Sequence, residues 1–279
     1  MNFGGNEVVY TYDESEIIIL PVPYDETSTW MRGADKGPDA ILEASVNLEF
    51  YDIETNSEAH LKGIHTVEPV LVKETPAKLV NEVYRRTLEL LDRKKFPVII
   101  GGNHTVPIGA FRAYAERYSD LSILQLDAHG DLRQVYEGSE YNHACAMARA
   151  REFAPVVQVG IRSMSVGELP YAEADRIFCA YQLYNDKSLY RKALEKLTGN
   201  VYITIDLDVF DPSIMPSTGT PEPGGPDYFE LMNFLREVIK NRNVVGFDVV
   251  ELCPSAANKS PDFIAAKIIY QLLSYRFAK

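Results

Sequence analysis

The sequence predicts an α/β protein built on a parallel sheet, and three observations support this prediction. Short apolar runs, mostly of β-branched residues, recur along the 279-residue chain, and stretches with helical spacing separate them. Most of these runs are continuously apolar, as expected for strands that are buried on both faces. Strands that alternate with helices form parallel sheets with helices packed against them. This periodicity does not distinguish an open, doubly wound sheet from a closed barrel.

The predicted elements cover most of the chain. Strands are expected at residues 17–20 with an extension to 22, 97–100, 121–126, 156–159, 176–179, 201–205 and 244–250. Pro38 falls where a proline is tolerated in the first turn of a helix, and an apolar stripe from Leu79 to Leu91 predicts the next helix. Later helices are expected at residues 105–117, 187–197, 227–240 and 261–276. We interpret the Pro- and Gly-rich residues 212–226 as a long loop within a single domain, 1–279.

The composition is that of a globular protein. The chain is 46% hydrophobic and 24% charged, so burial of apolar surface can offset the entropy of ordering it. A formal net charge of -12 disfavours nucleic acid as a partner, because phosphate recognition depends on clustered Lys and Arg. A small cationic molecule suits this charge better.

The sequence also predicts a cytoplasmic protein without a membrane partner. Its apolar runs fall far short of the ~20 residues that span a bilayer. The N-terminus has neither the basic start nor the apolar stretch of a secretory signal. The three cysteines, Cys145, Cys179 and Cys253, show no CxxC spacing and fit a reducing compartment.

Residues with metal-ligand chemistry follow four of the predicted strands. They are His104 after the second strand, Asp127, His129 and Asp131 after the third, Asp206 and Asp208 after the sixth, and Glu251 after the seventh. Residues i, i+2 and i+4 of an extended chain point to one side, so members of the second and third groups can converge. Taken singly, Asp131 or Asp208 would more often be a cap or turn residue. The combination predicts a site.

Four carboxylates and two imidazoles in one cleft require a compensating cation, because like charges raise one another's pKa. Six side-chain ligands exceed one open zinc site, and no thiolate is present, so a pair of ions such as manganese is favoured. Two ions about 3.5–4 Å apart activate a bridging water near neutral pH. The implied reaction is hydrolysis.

The chain resembles the ureohydrolases, the arginase and agmatinase family, over about residues 21–254. The resemblance depends on three segments: Gly101-Gly102-Asn103-His104, Asp127-Ala128-His129-Gly130-Asp131, and Asp206-Leu207-Asp208-Val209-Phe210-Asp211-Pro212 with its continuation Gly219-Thr220-Pro221. It implies a three-layer α/β/α fold with a parallel sheet of about eight strands, two manganese ions per subunit, and a homotrimer or homohexamer. One ion would be held by His104, Asp127, Asp131 and Asp206, and the other by Asp127, His129, Asp206 and Asp208.

The resemblance also implies roles in the reaction. A metal-bridging hydroxide would attack a guanidinium carbon, and the intermediate would collapse to urea and an amine. Asp131 would pass the proton onward, and His143 resembles the family's shuttle histidine. Glu251 resembles the carboxylate that orients the planar guanidinium through paired hydrogen bonds. His143 and Glu251 are therefore expected to act both in catalysis and in substrate binding.

Several segments look more like agmatinase than arginase, which implies cleavage of agmatine to putrescine and urea. These segments are Gly33-Ala34 with Gly37-Pro38, Tyr136-Glu137-Gly138, His143-Ala144-Cys145, and Val159-Gly160-Ile161-Arg162-Ser163. Glu137, expected to contact the substrate, and Glu140 would favour a bare ammonium group and repel the α-carboxylate of arginine. Arg133 in the same loop acts in the opposite sense.

One position departs from the family pattern. Asn103 stands where the family usually has an acidic residue before its first metal histidine. We expect Asn103 to orient His104 as a hydrogen-bond acceptor, though less strongly than a carboxylate.

Other functions remain open. Within the family the substrate could be arginine, guanidinobutyrate, aminopropylagmatine or formiminoglutamate. A two-metal phosphoesterase shares parts of the motifs, but their order is reversed and the chain has no Gly-His-x-His. A catalytically silent assembly subunit would have lost ligand positions, and all six are present.

Overall fold

The computed structural model of the protein describes residues 1–278, and eight strands form one sheet at its centre. Their bounds are β1 Ile17–Val22, β2 Ile64–Thr66, β3 Phe96–Gly101, β4 Leu121–Leu126, β5 Val156–Ile161, β6 Ile177–Cys179, β7 Asn200–Asp206 and β8 Asn243–Val250. The order across the sheet is β2-β1-β3-β8-β7-β4-β5-β6, and the paired strands are parallel. The sheet is open, with β2 and β6 at its edges, so the barrel alternative is excluded.

Helices cover both faces of the sheet. They are α1 Gly37–Ser45, α2 Pro76–Asp92, α3 Ile108–Arg117, α4 Ala146–Ala150, α5 Ala180–Asn185, α6 Leu189–Glu195, α7 Tyr228–Asn241 and α8 Ser260–Phe277. Buried residues of α1, α5, α6, α7 and α8 belong to one apolar cluster, and those of α2, α3 and α4 belong to a second. The predicted three-layer α/β/α fold is confirmed. Within residues 1–278, no helix combines the length and apolarity needed to cross a bilayer.

The apolar strands are buried on both faces because each face meets one helical layer. In β1, Ile17 and Ile19 pack into the first cluster, whereas Leu20 and Val22 pack into the second. The continuous apolar runs in the sequence therefore report a central position in the sheet.

The structure corrects the predicted elements in a few places. Strand β2 was not predicted, because it has only three residues at a sheet edge, and His65 and Thr66 are only half-buried. The short helices α4 and α5 were also missed. Helix α3 begins at Ile108 instead of residue 105, since Pro107 disfavours a helical conformation at Val106.

Gly102 lies where β3 leads into the predicted site, and the backbone leaves no room for a side chain there. A Cβ atom on Gly102 would lie 1.9 Å from the carbonyl oxygen of Tyr24. Gly102 N donates to Val22 O at 2.9 Å, and Glu251 N donates to Gly102 O at 2.7 Å. Three chain segments are thus fixed against one another at this glycine.

We expect Gly102→Ala to lower the free energy of unfolding by about 1–3 kcal/mol, because the methyl group must displace hydrogen-bonded backbone. Urea denaturation would measure the change. The matched control is Gly167→Ala, since Gly167 is exposed and its Cβ would approach only the Ser165 hydroxyl, at 3.8 Å. Equal unfolding midpoints for the two variants would contradict the expectation.

Candidate active site

The carboxyl ends of four adjacent strands, β3, β8, β7 and β4, meet at one edge of the sheet. His104 follows β3, Glu251 follows β8, Asp206 ends β7, and Asp127 follows β4. The residues that the sequence analysis predicted as metal ligands therefore converge, although they are up to 104 positions apart, from His104 to Asp208. This is where open α/β sheets place their ligands.

The first ligand group surrounds His104. His104 Nδ1 lies 3.0 Å from Asp127 Oδ2, 3.3 Å from Asp131 Oδ2 and 3.3 Å from Asp206 Oδ2. The histidine is fully buried, and its Nδ1 makes no well-directed hydrogen bond within residues 1–278. These four residues are the ones predicted to hold one ion.

The second ligand group surrounds His129. His129 Nδ1 lies 2.9 Å from Asp208 Oδ2 and 3.6 Å from Asp127 Oδ1. Asp127 thus contributes one oxygen to each group, as expected of a bridging carboxylate. Asp206 groups with His104, and its Oδ1 accepts a hydrogen bond from Asp208 N at 2.8 Å. Its predicted role as a second bridge stays a prediction.

The charges of this cluster fit a pair of divalent cations. Burial and the neighbouring Asp208 and Asp127 raise the pKa of Asp206 well above its usual value, and burial and Asp127 raise the pKa of Asp131 to about 6. Burial opposes protonation of His129, but Asp208 and Asp127 outweigh it and raise its pKa to about 12. Protons occupy the cluster when no cation neutralises it. Carboxylate and imidazole ligands without thiolate suit manganese or a similar ion.

Two of the predicted catalytic residues have left-handed backbone. Asp131 has φ 52° and Glu251 has φ 67°, a conformation that costs energy for residues other than glycine. Both the backbone and the side chain of Glu251 are held by hydrogen bonds. Glu251 N donates to Gly102 O at 2.7 Å, and Glu251 Oε1 accepts from His104 N at 2.9 Å. Such strain is typical of functional sites, where surrounding contacts impose it.

A cleft of about 150 Å³ opens over the ligands. His129, Asp131, Asp206, His143 and Glu251 are among its lining residues. His143 Nδ1 lies 3.7 Å from Glu251 Oε1, and His143 Nε2 lies 3.5 Å from Thr29 Oγ1. Burial opposes protonation of His143, but Glu251 outweighs it and raises the histidine pKa. The imidazole therefore holds a proton more readily than a free histidine, and it lies where a bound substrate would contact it.

The structure does not place Glu137 at the cleft. Glu137 is exposed in a turn, and Glu140 pairs with Arg149, with 3.2 Å between Oε2 and Nη1. Arg133 and Tyr136 line the cleft instead, and the Arg133 guanidinium carbon lies 4.4 Å from the centre of the Tyr136 ring. The sequence argument could not determine which residues of this loop reach the cleft, because loop conformation is not encoded in residue spacing. Substrate contact by Glu137 receives no support from this geometry.

Asn103 does not orient His104 as expected. Its Nδ2 donates to Thr27 Oγ1 at 2.8 Å and to Ser28 Oγ at 3.0 Å, and its Oδ1 accepts from Thr105 N. Asn103 therefore fastens the loop after β1 to the loop after β3. The partner of the second ring nitrogen of His104 is the Thr204 hydroxyl.

The sequence analysis missed residues that support the ligands from behind. Gln125 Nε2 donates to Asp127 Oδ2 at 2.7 Å, and Gln158 Nε2 donates to Gln125 Oε1 at 2.5 Å. A usable signal was present, since Gln125 is a polar residue in a buried strand, two positions before Asp127 and so on the same side.

Arg162 is a second missed support. Its guanidinium donates to the carbonyl oxygens of five residues, namely Gly160, Asp208, Val209, Phe210 and Glu222. The loop that holds Asp208 is thereby fixed to the end of β5. In the sequence, the segment around Arg162 resembles agmatinase, but nothing there predicts that Arg162 holds the Asp208 loop.

Fold and site together define a three-layer α/β/α protein whose candidate metal-ligand residues lie at the carboxyl edge of a parallel sheet. The family model described as "Arginase family" matches residues 15–274. An N(1)-aminopropylagmatine ureohydrolase from Synechocystis sp. is 36% identical, over 98% of this chain and 93% of the relative. An agmatinase from Bacillus anthracis is 34% identical, over 94% and 92%. The structure of the agmatine ureohydrolase of Thermoplasma volcanium has a TM-score of 0.89 at 27% identity, covering 99% of this chain and 94% of that one.

The chain therefore belongs to the arginase family, and it is a ureohydrolase. Membership confirms the predicted family and removes the phosphoesterase alternative.

Metal binding should strengthen as the pH rises, because the ligands must lose protons to bind an ion. The pKa of Asp131 is raised to about 6, and the pKa values of both histidines are raised as well. At least one proton should leave per ion, so Mn²⁺ affinity should be at least about tenfold higher at pH 8 than at pH 6. Calorimetric titration in buffers with different ionisation enthalpies would count the protons. An affinity that is constant between these pH values would contradict this description of the cluster.

Proposed function

We propose that the protein hydrolyses the guanidinium group of an amine-tailed guanidine, agmatine or N(1)-aminopropylagmatine, and releases urea and the amine. The observation that supports this most strongly is the arrangement of side chains at the cleft. There the two ligand groups that share Asp127 lie beside His143 and Glu251. A planar cation with several N–H groups matches a carboxylate beside this cluster.

We propose two manganese ions as the cofactor. His104, Asp127, Asp131 and Asp206 would hold one of them, and Asp127, His129, Asp206 and Asp208 would hold the other. When bound, such a pair lowers the pKa of a water molecule and offsets the negative charge that develops during hydrolysis.

The residues of the chain would bind the substrate and move protons. The Glu251 carboxylate would accept N–H groups of the guanidinium, and its contact with His104 N keeps it in place. Asp131 would take a proton from the attacking water. His143 would hold a proton at its ring and give it to the departing amine nitrogen, in a general-acid step typically worth 10²–10⁴-fold, roughly.

Two substrates stay in the proposal because different observations favour them. The sequence segments around Tyr136 and His143 favour agmatine. Relatives named N(1)-aminopropylagmatine ureohydrolase, from Synechocystis sp. and Thermus thermophilus, are 36% identical to this chain and favour the longer substrate. Agmatine lacks an α-carboxylate, and so does its aminopropyl derivative. Arg133 lines the cleft, and its guanidinium could attract the α-carboxylate of arginine. Arginine is therefore the substrate against which the two amines must be compared.

Urea release from manganese-loaded protein tests the proposal. Agmatine, N(1)-aminopropylagmatine and arginine are offered separately, and kcat/KM is measured for each. We expect urea from one or both amines and little from arginine. Asp127→Asn should lower the rate by at least about 100-fold, because it weakens both ligand groups. The matched control is Asp92→Asn, an identical change at an exposed residue that pairs with Arg117.

The outcomes separate the parts of the proposal. Hydrolysis of arginine in preference to both amines would overturn the substrate class and leave the reaction intact. No urea from any of the three would overturn the proposed substrates and would favour guanidinobutyrate, formiminoglutamate or the catalytically silent subunit. The homotrimer or homohexamer and the cytoplasmic location stay predictions.

A further inference from the structure

The second ring nitrogen of His104 contacts a hydroxyl group that the proposed reaction does not use. His104 Nε2 lies 3.0 Å from Thr204 Oγ1, and the Thr204 hydroxyl donates to Asp248 Oδ1 at 2.8 Å. All three side chains are fully buried. They form a chain from the interior of the sheet to the first ligand group, which we call the Asp248–Thr204–His104 chain.

The direction of these hydrogen bonds follows from their end points. His104 Nδ1 faces the carboxylates of the first ligand group, so a metal ligand at that position needs an unprotonated Nδ1. The ring proton of a neutral imidazole is then on Nε2, which donates to Thr204. Thr204 Oγ1 accepts that proton, so the single hydroxyl proton of Thr204 is directed to Asp248 Oδ1.

The sheet itself aligns these groups. Thr204 on β7 and Asp248 on β8 are register partners in adjacent parallel strands. Thr204 also lies two residues before Asp206, so both side chains point to the same side of β7. Thr204 and Asp248 of the Asp248–Thr204–His104 chain therefore lie in the central strands of the sheet and not in a loop.

A purely structural role does not account for a carboxylate at position 248. Asp248 is fully buried, and burial raises its pKa to about 7 although hydrogen bonds from Thr204 and Tyr202 act in the opposite direction. A buried acid usually costs stability relative to a well-packed apolar residue of similar size. Residues that break a packing rule in this way are expected where function requires them.

We propose that Thr204 and Asp248 are positioning residues that hold His104 with its proton on Nε2 and its Nδ1 on the first metal ion. This inference rests on the proposed metal binding. A histidine ligand is oriented and made more basic when its second nitrogen donates to a carboxylate, directly or through a hydroxyl.

The Asp248–Thr204–His104 chain contacts a histidine of only one of the two ligand groups. His129, in the second group, lines the cleft and is partly exposed, and its Nε2 lies 4.0 Å from Glu222 Oε1. Loss of the Asp248–Thr204–His104 chain should therefore lower the affinity for one Mn²⁺ ion much more than the affinity for the other. A general loss of stability would not produce this asymmetry.

The test measures Mn²⁺ affinity by competition with a chromophoric chelator in the absence of substrate. Thr204→Val keeps the shape of the side chain and removes the hydroxyl, and we expect one of the two ions to bind about 10–100-fold more weakly. Thr204→Ser restores the hydroxyl and should restore the affinity. The matched control is Thr87→Val, since Thr87 is also fully buried but its hydroxyl has no partner within residues 1–278.

Asp248→Asn gives a second variant that keeps the volume and removes the charge. It should weaken the same ion, and it keeps the inference testable if Thr204→Val does not fold. Nitrogen-15 spectra of the zinc-loaded protein add a direct readout, because the chain has only five histidines. In the wild type we expect one buried imidazole with a metal on Nδ1 and a proton on Nε2.

The inference is overturned if Thr204→Val and Asp248→Asn bind both ions as tightly as the wild type, or if His104 carries its proton on Nδ1. Failure of the proposed reaction is a separate result, since these measurements use no substrate. A wild type that binds two ions but releases no urea would leave the positioning role standing.

Discussion

Mutual repulsion among four buried carboxylates is the constraint on which the rest of this site depends. Asp127, Asp131, Asp206 and Asp208 are each less than a tenth exposed and share one cluster. Backbone groups offset part of the repulsion: His129 N donates to Asp127 at 2.6 Å, and Ala128 N donates to Asp208 at 3.1 Å. Amide dipoles alone do not neutralise four charges, so the cluster holds either protons or metal ions.

The parallel sheet makes such a concentration of charge possible. Strands β3, β8, β7 and β4 are adjacent, so their carboxyl ends deliver ligands from distant parts of the sequence to one edge. Two helical layers bury the strands on both faces. Gln125 donates a hydrogen bond to the Asp127 carboxylate, and Arg162 donates to the backbone of the loop that holds Asp208. Asp131 and Glu251 have strained, left-handed backbone within these surroundings.

What the sequence could predict depended on how local the signal was. The continuous apolar run of β1 predicted a strand buried on both faces, and the spacing of Asp127, His129 and Asp131 predicted that they converge. Both signals lie within a few neighbouring residues. The three-residue strand β2 at the edge of the sheet was too short for any periodicity.

Contacts between distant segments could not be predicted. The partner of His104 Nε2 is Thr204, not the neighbouring Asn103, because strand register brings position 204 beneath the histidine. The conformation of the loop with Glu137 could not be predicted for a related reason. Its turn leaves Arg133 and Tyr136 at the cleft, and only the folded chain determines which loop residues reach it.

The most direct test of this account is anomalous diffraction at the manganese edge from crystals grown with Mn²⁺. The account predicts two anomalous peaks per chain, one within bonding distance of His104 Nδ1 and one within bonding distance of His129 Nδ1, with Asp127 between them. A single peak, or peaks away from these two nitrogens, would contradict the assignment of the cluster as a two-metal centre.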